Sequence, residues 1–90
     1  MGRYIHTGAV VTGKANAIIE QHGAEEISQP KSWSDIPEGK ALVCVVENGF
    51  FDAAAYAYSP DEFIEFTRPD DRRRKRWLLL NKDLCERLAP

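Results

Sequence analysis

Two apolar runs in the middle of the chain flank the pair Asn48-Gly49. Asn-Gly between such runs is the strongest short-range signal for a β-hairpin, because both residues tolerate the positive φ angles of a type I′ turn. We therefore predict strands at 42–47 and 50–58 joined by a two-residue turn. The last residue of the first strand then lies directly opposite the first residue of the second.

The side chains of this hairpin alternate between two faces of different character. One face is uncharged and rich in small side chains, so we predict that it packs under a helix and forms the core: Leu42, Cys44, Val46, Phe51, Ala53, Ala55 and Ala57. The other face mixes apolar, aromatic and acidic side chains and is predicted to be half covered or a recognition surface: Val43, Val45, Glu47, Phe50, Asp52, Ala54, Tyr56 and Tyr58.

Three short helices are predicted around the hairpin. The first runs over about 14–22 and is followed by a glycine, where helices commonly end. The second spans about 59–67 and begins with a capping box formed by Ser59 and Glu62. The last follows Asn81, which is a suitable capping residue.

Two further segments are predicted to be strands: a third main strand at 75–80 and a short edge strand at 24–28. Between the edge strand and the hairpin, residues 29–40 contain two prolines and are predicted to form a loop, with Trp33 and Ile36 folded over the core. The prediction is a single α+β domain over residues 1–90, with an antiparallel sheet of three to four strands packed by two to three short helices. The pattern leaves open which edge of the hairpin receives the third strand.

Composition narrows the class of protein only slightly. With 43% hydrophobic and 29% charged residues and a net charge of −2, the chain is an ordinary globular protein and too apolar for disorder. No apolar run approaches the roughly 18 residues of a membrane span, and no long apolar stretch marks a secretory signal. We therefore expect a cytoplasmic protein without a membrane partner. The short reading frame from Met1 is typical of the small proteins of bacteria and their phages.

Cysteine and histidine give no sign of a metal or a cofactor. Cys44 and Cys85 are predicted to be reduced, buried thiols, because free cysteine is usually buried and cytosolic disulfides are rare. Neither these residues nor His6 and His22 show the paired spacing that brings metal ligands together. We predict no metal site and no cofactor.

One stretch fits part of a nucleotide-binding motif. Gly8 to Lys14 matches the GxxxxGK portion of a Walker A loop and lies directly before a predicted helix. However, Ala15 replaces the hydroxyl residue that such loops use to hold magnesium, and the chain is too short for the parallel sheet of these enzymes. We predict a glycine-flanked turn into the helix, with Lys14 exposed.

No catalytic residues are predicted either. Glu47 and Asp52 flank the hairpin turn, but paired carboxylates do acid and base work only in a cleft that shifts their pKa values. We interpret them as surface acids. No serine, cysteine or histidine arrangement suggests a nucleophile, so we expect a protein that is not an enzyme.

A basic run, Arg72-Arg73-Arg74-Lys75-Arg76, ends at Trp77. Such a run allows three interpretations: a solvated loop and strand edge, a basic edge for an acidic protein partner, or a nucleic-acid contact with an aromatic ring for stacking. The acidic net charge and the adjacent Asp70-Asp71 favour the first.

Aromatic side chains on the mixed hairpin face suggest protein binding, because such rings are enriched at interfaces, although a small core also needs them. We expect a small non-catalytic protein-binding module, of the phage inhibitor or adaptor type, that occludes or bridges a host macromolecule. The expected contact residues are Phe50, Asp52, Tyr56, Tyr58, Arg72, Arg73 and Arg74. The alternative is a nucleic-acid-binding protein that uses Arg72, Arg73, Arg74, Lys75 and Arg76.

Overall fold

The computed structural model describes residues 12–88, which form a four-stranded antiparallel sheet with helices on both faces. In chain order the elements are α1 (Lys14–His22), β1 (Glu25–Ile27), a 3-10 helical turn (Trp33–Asp35), β2 (Lys40–Glu47), β3 (Asp52–Ala57), α2 (Pro60–Phe66), β4 (Arg74–Asn81) and α3 (Lys82–Leu88). The predicted α+β fold is confirmed. The strand order is β1-β4-β2-β3, so β4 pairs with the β2 edge of the hairpin.

The hairpin has a different register from the predicted one. Glu47 pairs with Asp52 and Val43 with Tyr56, so the connecting loop is the four-residue segment 48–51. The predicted two-residue turn is therefore wrong, and the pairing is shifted by two positions. Because side chains alternate with a period of two, this shift leaves every strand residue on its predicted face.

A side chain, and not a type I′ backbone turn, organises the hairpin loop. Asn48 Oδ1 accepts hydrogen bonds from the backbone N–H of Phe50 at 3.0 Å and of Phe51 at 2.9 Å. Within the loop only Gly49 has a positive φ, at +90°, whereas a type I′ turn needs two such residues. The asparagine thus caps a wider loop and fixes its backbone.

Both faces of the sheet are buried. The α1 face, under α1 and α3, is built from Ala15, Ile18, Ala41, Val43, Val45, Ala54, Tyr56, Leu78, Leu80 and Cys85. The α2 face, under α2 and the 3-10 turn, is built from Ile36, Leu42, Cys44, Phe63, Trp77 and Leu79. The mixed face, which was predicted to be half covered or a recognition surface, is therefore largely buried under two helices. Burial on both sides accounts for the unbroken apolar run of β2.

Candidate partner-binding site

Asp52 was predicted to be a surface acid and a partner contact, but it is only 3% exposed and joins β3 to α1. Its Oδ2 accepts hydrogen bonds from the backbone N–H of Gly13 at 2.8 Å and of Lys14 at 3.2 Å. The first amides of a helix have no partner within the helix, and an acid placed there also interacts favourably with the helix dipole. Asp52 therefore fixes the start of α1, and its assignment as a partner contact is corrected.

The same contact bears on the Walker-like stretch. That stretch begins at Gly8, outside the described residues, but its last three residues, Thr12 to Lys14, lie inside them. The amides of Gly13 and Lys14, which a phosphate group would need, are bonded to the Asp52 carboxylate. Lys14 is half-buried, whereas the sequence predicted it to be exposed. The protein's own carboxylate thus occupies the position of an anion at this helix start.

The two tyrosines on the mixed hairpin face pack in or against the cluster under α1 and α3. Tyr56 is 5% exposed in the cluster under α1 and α3, and Tyr58 packs against that cluster. Their rings are stacked with centroids 6.0 Å apart, and Lys82 Nζ lies 4.3 Å from the Tyr58 ring centroid. The sequence left core and interface open for these rings. The packing places Tyr56 in the core, which corrects its assignment as a contact residue, whereas the assignment of the half-buried Tyr58 stays a prediction.

Most of the basic run is paired with acids. Asp71 accepts a bidentate pair of hydrogen bonds from the Arg73 guanidinium, at 2.9 and 2.6 Å. Its Oδ2 also lies 2.9 Å from Lys75 Nζ. The Arg76 guanidinium likewise donates a bidentate pair of hydrogen bonds to the Glu26 carboxylate, at 2.9 and 2.7 Å. Three of the five cations are therefore held within the fold, which leaves only part of the run for any partner.

The pairing is reflected in the ionisation of these groups. Hydrogen bonds from Arg73 and then Lys75 hold the pKa of the Asp71 carboxyl well below its usual range. The hydrogen bond from Arg76 lowers the pKa of Glu26, and the same contact raises the pKa of Arg76. Asp71 and Glu26 therefore stay charged near neutral pH, and they offset positive charge of the basic run at Arg73, Lys75 and Arg76.

Two cations of the run remain. Arg72 and Arg74 are exposed, and within residues 12–88 neither side chain has an ion pair or hydrogen bond. Arg74 opens β4 and lies opposite Glu47, the last residue before the hairpin loop. The arginine segment and the hairpin loop therefore emerge at the same end of the sheet.

The hairpin loop carries two exposed aromatic rings. Phe50 is 82% exposed and Phe51 53% exposed, and they are two of three large apolar side chains exposed among the described residues. A shallow depression of about 630 Å³ links the loop to the arginines, with Asn48, Gly49, Arg73 and Arg74 among its lining residues. We call the exposed group Phe50, Phe51, Arg72 and Arg74 the tip patch.

The tip patch overlaps only partly with the sequence prediction. Phe50, Arg72 and Arg74 were expected to be contact residues, and all three are exposed. Arg73 is exposed too, but it is bonded to Asp71. Phe51 was missed because the two-residue turn placed it on a core strand.

The described residues offer little for catalysis. Within 12–88 no group of three or more His, Cys, Asp or Glu side chains is arranged to hold a metal ion. Cys44 and Cys85 are free and buried, as predicted, and burial raises the pKa of each thiol to about 11. Both are therefore neutral near pH 7 and poor nucleophiles. Glu47 lies beside Asp52, but the buried Asp52 is bonded to the α1 amides.

No helix among the described residues combines the length and the apolar character that crossing a membrane requires. No protein-family model, curated protein or solved structure matches the chain. A function must therefore be argued from the tip patch and the fold that carries it.

Proposed function

We propose that the protein is a small, non-catalytic protein-binding module and that the tip patch is its contact surface. The observation that carries this proposal is the exposure of Phe50, at 82%, beside the half-exposed Phe51. Aromatic and arginine side chains are enriched at protein interfaces, where a few of them contribute most of the binding energy. The tip patch has this composition.

The backbone under the two rings supports the proposal. The loop is bonded to Asn48 Oδ1 on one side, and Asp52 on the other side is fixed to the start of α1. A loop held in one conformation loses less conformational entropy when it binds than a flexible loop does. The rings are thus presented on an ordered support.

The size of the molecule is compatible with such a role. A standard interface buries about 800 Å² on each partner. The molecule exposes 5792 Å², so one such contact would take roughly a seventh of its surface. We propose that it acts as an inhibitor or adaptor of the phage type, by occluding or bridging its partner. The proposed compartment is the cytoplasm, which two free thiols support.

The test compares three forms of the protein as baits in an extract of the source cells treated with nuclease. The first is the wild type, the second carries Phe50→Ser with Phe51→Ser, and the third carries Ile64→Ser. Ile64 is the matched control, because it is 64% exposed but lies on α2, away from the hairpin loop. Circular dichroism is measured on all three to establish that each is folded.

We expect a protein that the wild type and the Ile64 variant retain and the double phenylalanine variant loses. Loss of one central aromatic contact typically costs about 2 kcal/mol, or roughly thirtyfold in affinity, so the double change should exceed that. If a folded double variant retains the same proteins as the wild type, the tip patch is not the contact surface and the proposal fails.

A further inference from the structure

We infer that the partner segment bound by the tip patch is an acidic stretch of protein that also carries apolar side chains. This inference rests on the proposed function and specifies the chemistry of its partner. It is based on the two arginines at the hairpin end of the sheet that form no ion pair among the described residues.

The remaining charge is positive. Arg72 and Arg74 have no acidic partner within residues 12–88, and residues 1–11 and 89–90 contain no aspartate or glutamate side chain that could supply one. The nearby acids are already engaged. Asp52 is buried against α1, and Glu47 lies 3.8 Å from Arg76.

This positive charge lies at the same end of the sheet as the exposed aromatic rings, in a chain whose net charge is −2. Adjacent cations of the same run, Arg73, Lys75 and Arg76, are all paired. An acidic partner segment would complement both arginines, while its apolar side chains would cover Phe50 and Phe51. Such complementarity speeds association and excludes basic partners.

A protein segment fits this arrangement better than a nucleic acid does. Nucleic-acid affinity comes largely from the number of phosphates that the protein neutralises, and a protein with about six to ten phosphate contacts shows a steep dependence on salt. Two free arginines would give a single-stranded ligand a salt exponent of only about −1.4, or roughly a sevenfold change over a fourfold change in salt. Phenylalanine rings can stack on bases, but so few cations leave little affinity.

The experiment selects peptides from a random dodecapeptide library displayed on phage, with the immobilised full chain as target. Selected peptides are then synthesised and titrated by fluorescence anisotropy at about 50 mM and about 200 mM NaCl. Four variants are titrated beside the wild type. Two change the tip patch: Phe50→Ser with Phe51→Ser, and Arg72→Glu with Arg74→Glu.

The other two variants are matched controls. Ile64→Ser removes an exposed apolar side chain elsewhere, and Lys31→Glu with Arg87→Glu reverses two exposed charges outside the tip patch. Fluorescein-labelled single-stranded RNA and DNA are titrated in parallel as the nucleic-acid probes. Circular dichroism again establishes that every variant is folded.

We expect peptides with net negative charge and apolar residues whose binding needs the two phenylalanines. The Arg72/Arg74 reversal should weaken them at least about tenfold, higher salt should weaken them further, and neither control should change binding more than about twofold. Phenylalanine-dependent peptides that are neutral or basic, or that ignore the arginine reversal, would overturn the inference and leave the proposed function intact.

Two other outcomes would also decide the question. If no selected peptide depends on Phe50 and Phe51, both the proposed function and this inference fall. If RNA or DNA binds at micromolar protein, loses binding on the arginine reversal, and no acidic peptide is found, the partner is a nucleic acid and the inference is wrong.

Discussion

Replacing Asp52 should destabilise the whole domain, although the residue is only the first of β3. Its Oδ2 accepts two backbone hydrogen bonds from the start of α1, at 2.8 and 3.2 Å, across 39 and 38 positions of sequence. Asp52→Ala removes the acceptor and leaves two amides without it in a region where the carboxylate was 3% exposed. Water therefore cannot fully replace the lost bonds without opening the packing between α1 and β3.

The expected loss follows from these contacts. A hydrogen bond to a charged group contributes about 1.5–3 kcal/mol net, and the two bonds share one oxygen, so their contributions are not additive. We expect Asp52→Ala to lower the free energy of unfolding by about 2–4 kcal/mol, equivalent to roughly 10–25 °C in melting temperature. Asp52→Asn keeps an acceptor oxygen but loses the charge, so we expect it to lower the free energy of unfolding by only about 1 kcal/mol.

Urea unfolding followed by tryptophan fluorescence and circular dichroism measures these differences. Asp35 provides the matched control, because it too accepts two backbone N–H bonds, from Lys31 at 3.1 Å and Ser32 at 3.3 Å, but is exposed to water. Asp35→Ala should cost less than half of what Asp52→Ala costs. If Asp52→Ala unfolds within about 0.5 kcal/mol of the wild type, the carboxylate does not hold α1 and the reasoning is refuted.

Two further predictions concern ionisation. The pKa of Asp71 lies well below its ordinary 3.8 because Arg73 and Lys75 favour the charged form, so its contribution is present above about pH 4 and is lost as the pH falls below that. The urea midpoint should therefore decline less steeply on acidification for Asp71→Asn than for the wild type, and equal slopes would contradict this. Burial raises the pKa of the Cys44 and Cys85 thiols to about 11, so a thiol reagent such as DTNB at about pH 8 should label both quickly in urea and neither quickly in the native protein.

Local sequence signals predicted the elements well. The helix predicted over 14–22 is α1, which ends before Gly23 in the left-handed conformation. The short edge strand predicted at 24–28 is β1, and the third main strand is β4. These features depend on the spacing of apolar residues and on the glycine that ends α1, which act over a few positions and are therefore visible in one sequence. At the capping box predicted for α2, the Ser59 hydroxyl donates to the Glu62 side chain and makes no bond to the helix backbone.

The hairpin register was not predicted because one side chain decided it. Asn-Gly favours a type I′ turn, but an asparagine can instead bond its own downstream amides, as Asn48 does. The wider loop releases Phe50 and Phe51 from the strand, and Phe51 is the part of the site that the sequence missed. Nothing in the flanking residues distinguishes the two turns, because a shift by two positions keeps the same side chains on the same faces.

The roles of Asp52 and Tyr56 were misassigned for a different reason. Their selection as contact residues took the mixed face as a recognition surface, whereas α1, which precedes them by about 40 positions, packs on that face. The sequence does carry a signal that both faces of the hairpin are buried. The run from Ala41 to Val45 is apolar at consecutive positions, which is typical of a strand buried on both sides.

Burial of both sheet faces restricts where this protein can bind anything. The faces of the sheet are covered by α1 and α3 on one side and by α2 on the other, so the sheet itself can contact a partner only at its ends and edges. At one end the loop stands between Asn48, which caps it, and Asp52, which is tied to α1. The buried acid and the exposed rings are thus parts of one arrangement: the contact that fixes the helix also fixes the base of the loop, and the rings project from that fixed base.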